Sequence, residues 1–166
     1  MLISTSRKPS QKTRKFCKNL SHATGFPSVN RGKMSMRDLL LKTLELNECN
    51  LAIVNEIKGN PSRISFYSND GEMLLSLLIG VTIDNERLNM MPSKLKMVSE
   101  VLRLNVLSEI FDVDLVKSAE DNYIYVSKSE DSVARIYFIN KYGDRINFQI
   151  NVKKVIEVGD DWENSS

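Results

Sequence analysis

Ten cationic side chains crowd the first 42 residues, namely Arg7, Lys8, Lys12, Arg14, Lys15, Lys18, Arg31, Lys33, Arg37 and Lys42, against one acid, Asp38. Residues 43–166 hold 13 basic and 20 acidic side chains, so the net charge of +2 conceals a split of +9 and −7. The chemistry open to such a set is anion binding, with Arg forking onto phosphate oxygens and Lys supplying point charge. Solubility alone is served equally well by mixed signs, so the asymmetry points to a polyphosphate partner.

Other chemistries find less support. His22 is the only histidine and has no nearby acid in sequence to orient it as a base, which suits a helix-terminal or solvent residue better than a catalytic one. Cys17 and Cys49 stand far apart without ligand spacing and read as two buried free thiols, so neither zinc nor a disulfide framework is expected. Gly32-Lys33 lacks the upstream glycine and following hydroxyl of a phosphate loop. Asp112 with Asp114, or Asp160 and Asp161 with Glu163, are short acidic runs of the kind that form solvated faces or tails, so a metal-dependent nuclease is a minor reading. No catalytic residue, metal or cofactor is expected.

Three features of residues 4–37 converge on phosphate. Ser4-Thr5-Ser6-Arg7 lies at a strand-to-helix junction, where free backbone N–H groups and the helix dipole favour an anion. The following helix presents Lys8, Lys12, Arg14, Lys15 and Lys18 opposite an apolar stripe of Phe16, Cys17, Leu20 and Ala23. Asn30-Arg31-Gly32-Lys33 is a short basic loop whose glycine lets backbone approach a ligand closely.

The elements that must position these groups follow from local signals. Leu2–Thr5 reads as a strand, and Ser6 to Ser10 supplies capping hydroxyls and a first-turn proline for a helix. Gly25 to Val29 suggests a turn and a second short strand, and Ser35 caps a second helix whose apolar stripe is Met36, Leu39, Leu40 and Leu44. Strands are expected at Leu51–Ile57, Arg63–Ser68 and Glu72–Ile79, with Asn69-Asp70-Gly71 as a hairpin turn. A helix beginning at Ser93 or Ser99 and running to about Phe111 comes next. Strands at Tyr123–Ser127, Arg135–Ile139 and Arg145–Ile150 follow, with Lys141 to Asp144 as a second hairpin turn and a further strand at Val152–Val158. Phe66, Tyr67, Tyr123 and Phe138 are assigned to core packing rather than base stacking.

A constant offset of 72 residues relates the two β-rich stretches: Asn50 to Asn122, Val54 to Val126, Arg63 to Arg135, Phe66 to Phe138 and Gly71 to Gly143. Hairpin turn meets hairpin turn, which favours an internal duplication. At 166 residues and 42% hydrophobic content the chain can bury a core as one domain or two small fused halves. Met73 to Val81, its longest nearly continuous apolar run, is far short of the roughly 20 residues that span a bilayer. The start carries its charge after a short apolar run, the reverse of a secretory signal, so a cytoplasmic protein is expected.

Ser4 to Ser10, Arg14-Lys15-Phe16, Leu20 and Asn30 to Lys33 before Leu39-Leu40 together resemble the N-terminal signature of the Brix superfamily of ribosome-biogenesis proteins. Gly143 to Ile150 resembles that family's C-terminal motif, departing at Asp144 and Ile146, where the family usually has proline and phenylalanine. The whole chain is similar to the short archaeal form. The resemblance implies an α/β fold of two similar halves, each a small mixed sheet with helices, like the anticodon-binding domain of class II aminoacyl-tRNA synthetases. It places a Brix domain at 1–158, with halves at about 1–90 and 91–158, and an acidic tail at 159–166. It implies a non-catalytic factor in rRNA processing and subunit assembly that binds pre-rRNA or rRNA, together with ribosomal proteins or other assembly factors, and no membrane. Ser6, Arg7, Lys8, Lys12, Arg14, Lys15, Lys18, Arg31, Lys33, Arg37 and Arg145 are the candidate RNA contacts. The alternative is a protein-interaction scaffold whose basic end docks an acidic partner surface.

Overall fold

The computed structural model describes residues 1–84 and 87–156. Strand β1, Leu2–Thr5, leads into helix α1, Gln11–Thr24. Ser10 caps α1 by accepting the Thr13 N–H, and Gly25 closes it in the left-handed conformation, φ 79°, returning its N–H to the Ser21 carbonyl at 2.8 Å. Lys8 stands before the helix with φ 54°, so it belongs to the entry loop and not to the helix face expected for it. The strand expected after Gly25 is a single parallel bridge, Ile3 to Ser28, that shields the edge of β1. Helix α2, Met36–Glu45, begins in a capping box formed by Ser35 and Asp38. Leu39 is buried beneath it, but Leu44 is 51% exposed and falls outside the apolar stripe.

Antiparallel strands β2 (Asn50–Ile57), β3 (Asn60–Ser68) and β4 (Met73–Thr82) follow. The helix expected up to Phe111 is instead broken into a 3-10 turn at Pro92–Lys94, strand β5 at Lys96–Ser99, a second such turn at Leu102–Leu104 and the short helix α3, Val106–Ile110. Strand β6, Asp114–Leu115, is two residues long, and β7 (Tyr123–Ser127), β8 (Ala134–Ile139) and β9 (Arg145–Ile156) complete the fold. The two runs expected after Arg145 are thus one strand. The acidic tail and the end of the expected run to Val158 lie outside the described residues.

Two small sheets are expected from the sequence, and one sheet is found. All nine strands among the described residues join in the order β1-β2-β3-β4-β9-β8-β7-β5-β6 because β4 and β9 pair antiparallel along their length. The 72-residue offset reappears as register: Ala52 opposes Phe66 as Ile124 opposes Phe138, and Val54 opposes Ile64 as Val126 opposes Ile136. The parallel pairing of β1 with β2 is likewise matched by that of β5 with β7.

Alternation along the strands sends one set of side chains into the main core, where Phe66, Phe138 and Phe148 meet Phe16 and Leu20 of α1 and Leu107 of α3. Phe148 stacks on Phe138 at 4.9 Å between ring centroids and touches Phe16 at 5.7 Å, so α1 packs across the seam onto β9. On the opposite face α2 covers Leu2, Leu51 and Ile53, with Tyr67 packed against the same cluster. The rest of that face has no helix over it among the described residues.

Candidate nucleic-acid interface

Positions 14, 18 and 22 recur every four residues, so Arg14, Lys18 and His22 stack along one side of α1. Facing them is the chain between α1 and α2, held to β1 by Ile3 N–H to the Pro27 carbonyl at 2.9 Å, Val29 N–H to the Ile3 carbonyl at 3.0 Å and Ser4 Oγ to the Val29 carbonyl at 2.9 Å. Between the two walls lies a cleft of about 410 Å³, which Asn30, Arg31 and Gly32 also line.

Arg31 is fixed in this wall. Its Nε donates to the Met34 carbonyl at 2.7 Å and its Nη1 to the Thr5 carbonyl at 2.9 Å, leaving its remaining N–H groups for a ligand. Partial burial, and to a lesser degree the neighbouring Arg7 charge, hold its pKa below the ordinary value. Gly32, at φ 53°, has no neighbour within 4 Å of where a Cβ would stand, so the loop needs glycine for its backbone and offers an open outer face.

The floor of the cleft carries Cys17, whose thiol burial pushes up to about 12, so it is an inert lining group. Cys49 is exposed, and the expectation of two buried thiols fails there.

The structure divides the sequence-expected contacts. Arg14, Lys18 and Arg31 line the cleft, while Lys33 and Arg37 are exposed beyond its loop. Arg7 lies within electrostatic reach of both Arg31 and Asp38, whose carboxyl is held low by the Ser35 N–H and hydroxyl and by Arg37 and Arg7. Lys12 turns away, donating to Oδ1 of Asn60 at the start of β3 at 2.9 Å, and Lys15 is half-buried on α1. Arg145 is remote from this group: it sits at the start of β9 on the opposite sheet face, 4.4 Å from the centre of the Tyr137 ring.

The anion seat expected at the strand-to-helix junction is filled from within. Glu56 accepts the Ser10 N–H at 3.0 Å, the Ser10 hydroxyl at 2.8 Å and the Thr13 hydroxyl, while the Ser6 N–H goes to the Val54 carbonyl at 2.9 Å. Those hydrogen bonds, the Thr13 hydroxyl foremost, hold the Glu56 carboxyl below the usual range. The junction does attract a carboxylate, as the physics of helix N-termini requires, but it is the chain's own. Ser6 and Lys8 therefore flank a closed seat.

His22 lines the cleft although its sequence context offers it no role as a base. Its spacing of four from Lys18 and eight from Arg14 is the signal that places it there.

No family model matches the chain. A probable Brix domain-containing ribosomal biogenesis protein of Methanothermobacter thermautotrophicus is 48% identical over 71 residues, covering 43% of each chain. One from Sulfurisphaera tokodaii is 28% identical over 136 residues, covering 78% of this chain and 72% of that one. The matched segment spans about half the length of the first four curated relatives, from 43% to 49%. Among solved structures, the archaeal Imp4-like protein Mil superposes with a TM-score of 0.80 at 26% identity, covering 95% of this chain and 99% of that one. A probable ribosomal biogenesis protein from Aeropyrum pernix shares the fold with a TM-score of 0.70 at 22% identity, covering 92% and 94%.

Proposed function

We propose, from the premise that this chain belongs to the Brix domain-containing proteins, that it is a non-catalytic ribosome-biogenesis factor gripping the phosphate backbone of structured rRNA in the cleft between α1 and the Arg31 loop. The observation that carries this reading is the convergence of Arg14 and Lys18 with the clamped Arg31 around one cavity. Such a set reads charge and shape rather than base edges, which suits helical RNA. Arg7, Lys33 and Arg37 extend the positive field toward the rim, and Lys12, Lys15 and Lys8 lie on the flank. The likeness to an anticodon-binding domain implied by the family fits a fold that handles folded RNA.

Arg14→Gln and Lys18→Gln test it, with binding of a pre-rRNA hairpin measured across a salt series. Each removed phosphate contact is expected to flatten the slope of log K against log salt by roughly 0.7 to 0.9. Unchanged affinity and slope in both variants would refute the cleft as the RNA seat.

A protein-docking role has one observation of its own. Leu41, Leu44 and Leu46 stand 55%, 51% and 38% exposed on the outer side of α2 and just beyond it. A partner retained after complete RNase digestion and lost in Leu41→Ser would favour that reading.

A further inference from the structure

The 72-residue offset carries Leu51 onto Tyr123, Ile53 onto Tyr125 and Ser65 onto Tyr137. In the first half of the sheet, Leu51 and Ile53 lie under α2. In the second half the corresponding face has no covering helix among the described residues, and its floor is tyrosine, half-exposed at all three positions. Where the first half has aliphatic side chains roofed by a helix, the second has aromatic rings, with the Tyr125 phenol reaching Glu100 and the Tyr137 phenol reaching Arg135.

These rings form one surface. Tyr125 and Tyr137 are direct cross-strand partners with centroids 6.3 Å apart and edge-on, and Tyr123 lies 6.4 Å from Tyr125. Arg145 lies over Tyr137, and no carboxylate partner is found for it among the described residues. Gln149 sits directly across from Tyr137 and Asn151 across from Arg135, adding amide donors and acceptors on the same face. Nearer the seam Lys153 lies across Gly80, where a Cβ would come within 3.2 Å of its Cε. Three carboxylates border the surface, one of them Asp84, which accepts the Asn147 side-chain amide N–H at 3.0 Å. Asp131 is paired with Arg135 at 3.3 Å, and Glu100 accepts the Lys128 N–H at 3.1 Å and interacts with the phenol of Tyr125, the middle ring of the tyrosine row.

We propose that this open face of β7, β8 and β9 binds a single-stranded RNA segment by stacking its bases on Tyr125 and on the Arg145 guanidinium seated over Tyr137, with Lys153 meeting a flanking phosphate. Bases have flat π-faces and a charged backbone, the two properties that a tyrosine floor bordered by cations complements. The aliphatic centre of the α2 seat in the first half, Leu51 and Ile53, is replaced by tyrosines here, so that seat is not repeated for a partner helix. The inference rests on the RNA-binding reading above and adds a second, chemically different contact to it: phosphate grip on the α1 side, base stacking on the other.

The test uses the whole chain and two probes, a fluorescein-labelled oligoadenylate and a blunt RNA hairpin, read by anisotropy. Tyr137→Ala is expected to weaken oligoadenylate binding about tenfold or more, Tyr137→Phe to keep it within about twofold, and neither to change the salt slope or hairpin affinity. Should Tyr137→Ala lose the native melting transition, Tyr137→Leu replaces it, keeping apolar bulk against Tyr125 without the π-face. Ultraviolet crosslinking of the wild-type chain to the oligoadenylate is expected to map to the β7 and β8 tyrosine peptides. Wild-type affinity in the folded Ala or Leu variants, crosslinks confined to the α1 cleft, or a protein partner that protects these tyrosines after RNase digestion would each overturn the proposal. Loss of hairpin binding in Arg14→Gln with no effect of the tyrosine changes sinks only this inference. No binding of either probe sinks the RNA reading as well.

Discussion

Glu56 is the residue on which the basic end turns. Its carboxylate sits among the Ser10 N–H, the Ser10 hydroxyl and the Thr13 hydroxyl, so it stabilises the start of α1 only while ionised. A carboxyl held below its unfolded value contributes stability that is fully present above that value, near 4.3, and is lost as pH falls through the folded one. Glu56→Gln is therefore expected to cost about 1 kcal/mol at neutral pH by urea unfolding, with the gap to wild type closing below about pH 4. A gap that stays constant with pH would show that the contact is not charge-dependent. Arg31 makes the same point with opposite sign: its value lies less in bare charge than in the two carbonyls that fix where that charge stands.

At the scale of elements, the loop before α2 depends on one backbone conformation. Gly32 has φ 53° with open space around it, so Gly32→Ala meets no clash but must hold a left-handed backbone at about 1 kcal/mol. The expected outcome is a modest drop in melting temperature and weaker hairpin binding as Arg31 shifts, with Gly32→Asn recovering much of both because asparagine tolerates that region. Equal behaviour of Ala and Asn would point to side-chain bulk instead. The same scale shows what the sequence discloses. Period-two alternation and the turns at Gly71 and Gly143 place the strands of both hairpins to within a few residues, because those signals are local. The stretch from Pro92 to Ile110 misleads for the opposite reason. Lys96–Ser99 becomes a strand by pairing in parallel with β7, a partner more than 20 residues away, and that long-range ladder outweighs a helical pattern in leucines. The cleft is half legible: charge spacing marks Arg14 and Lys18, whereas the closing of the helix terminus by Glu56 depends on a contact across 46 residues.

For the whole molecule, the β4–β9 ladder and the packing of Phe16 on Phe148 tie both ends of the sheet into one unit. Phe148→Ala is expected to cost about 3–5 kcal/mol and to lower the stability of β2 and β3 as much as that of β8, with hydrogen exchange reporting a common loss. Selective loosening of β7 to β9 would mean that the halves unfold separately. The ladder has a further property. Ile79 opposes Val152 and Gly80 opposes Asn151, and the 72-residue offset exchanges these two pairs, so β4 meets its own counterpart about a local two-fold axis. That is the geometry of an isologous contact between identical subunits, here written on one polypeptide. A true homodimer must accept every substitution twice and keep its face self-complementary. A tethered pair has its partner always at hand and is released from that symmetry. One half is then free to keep a roof of helix over leucine and isoleucine while the other lays down bare tyrosine, so a single gene acquires two dissimilar surfaces from one repeated plan.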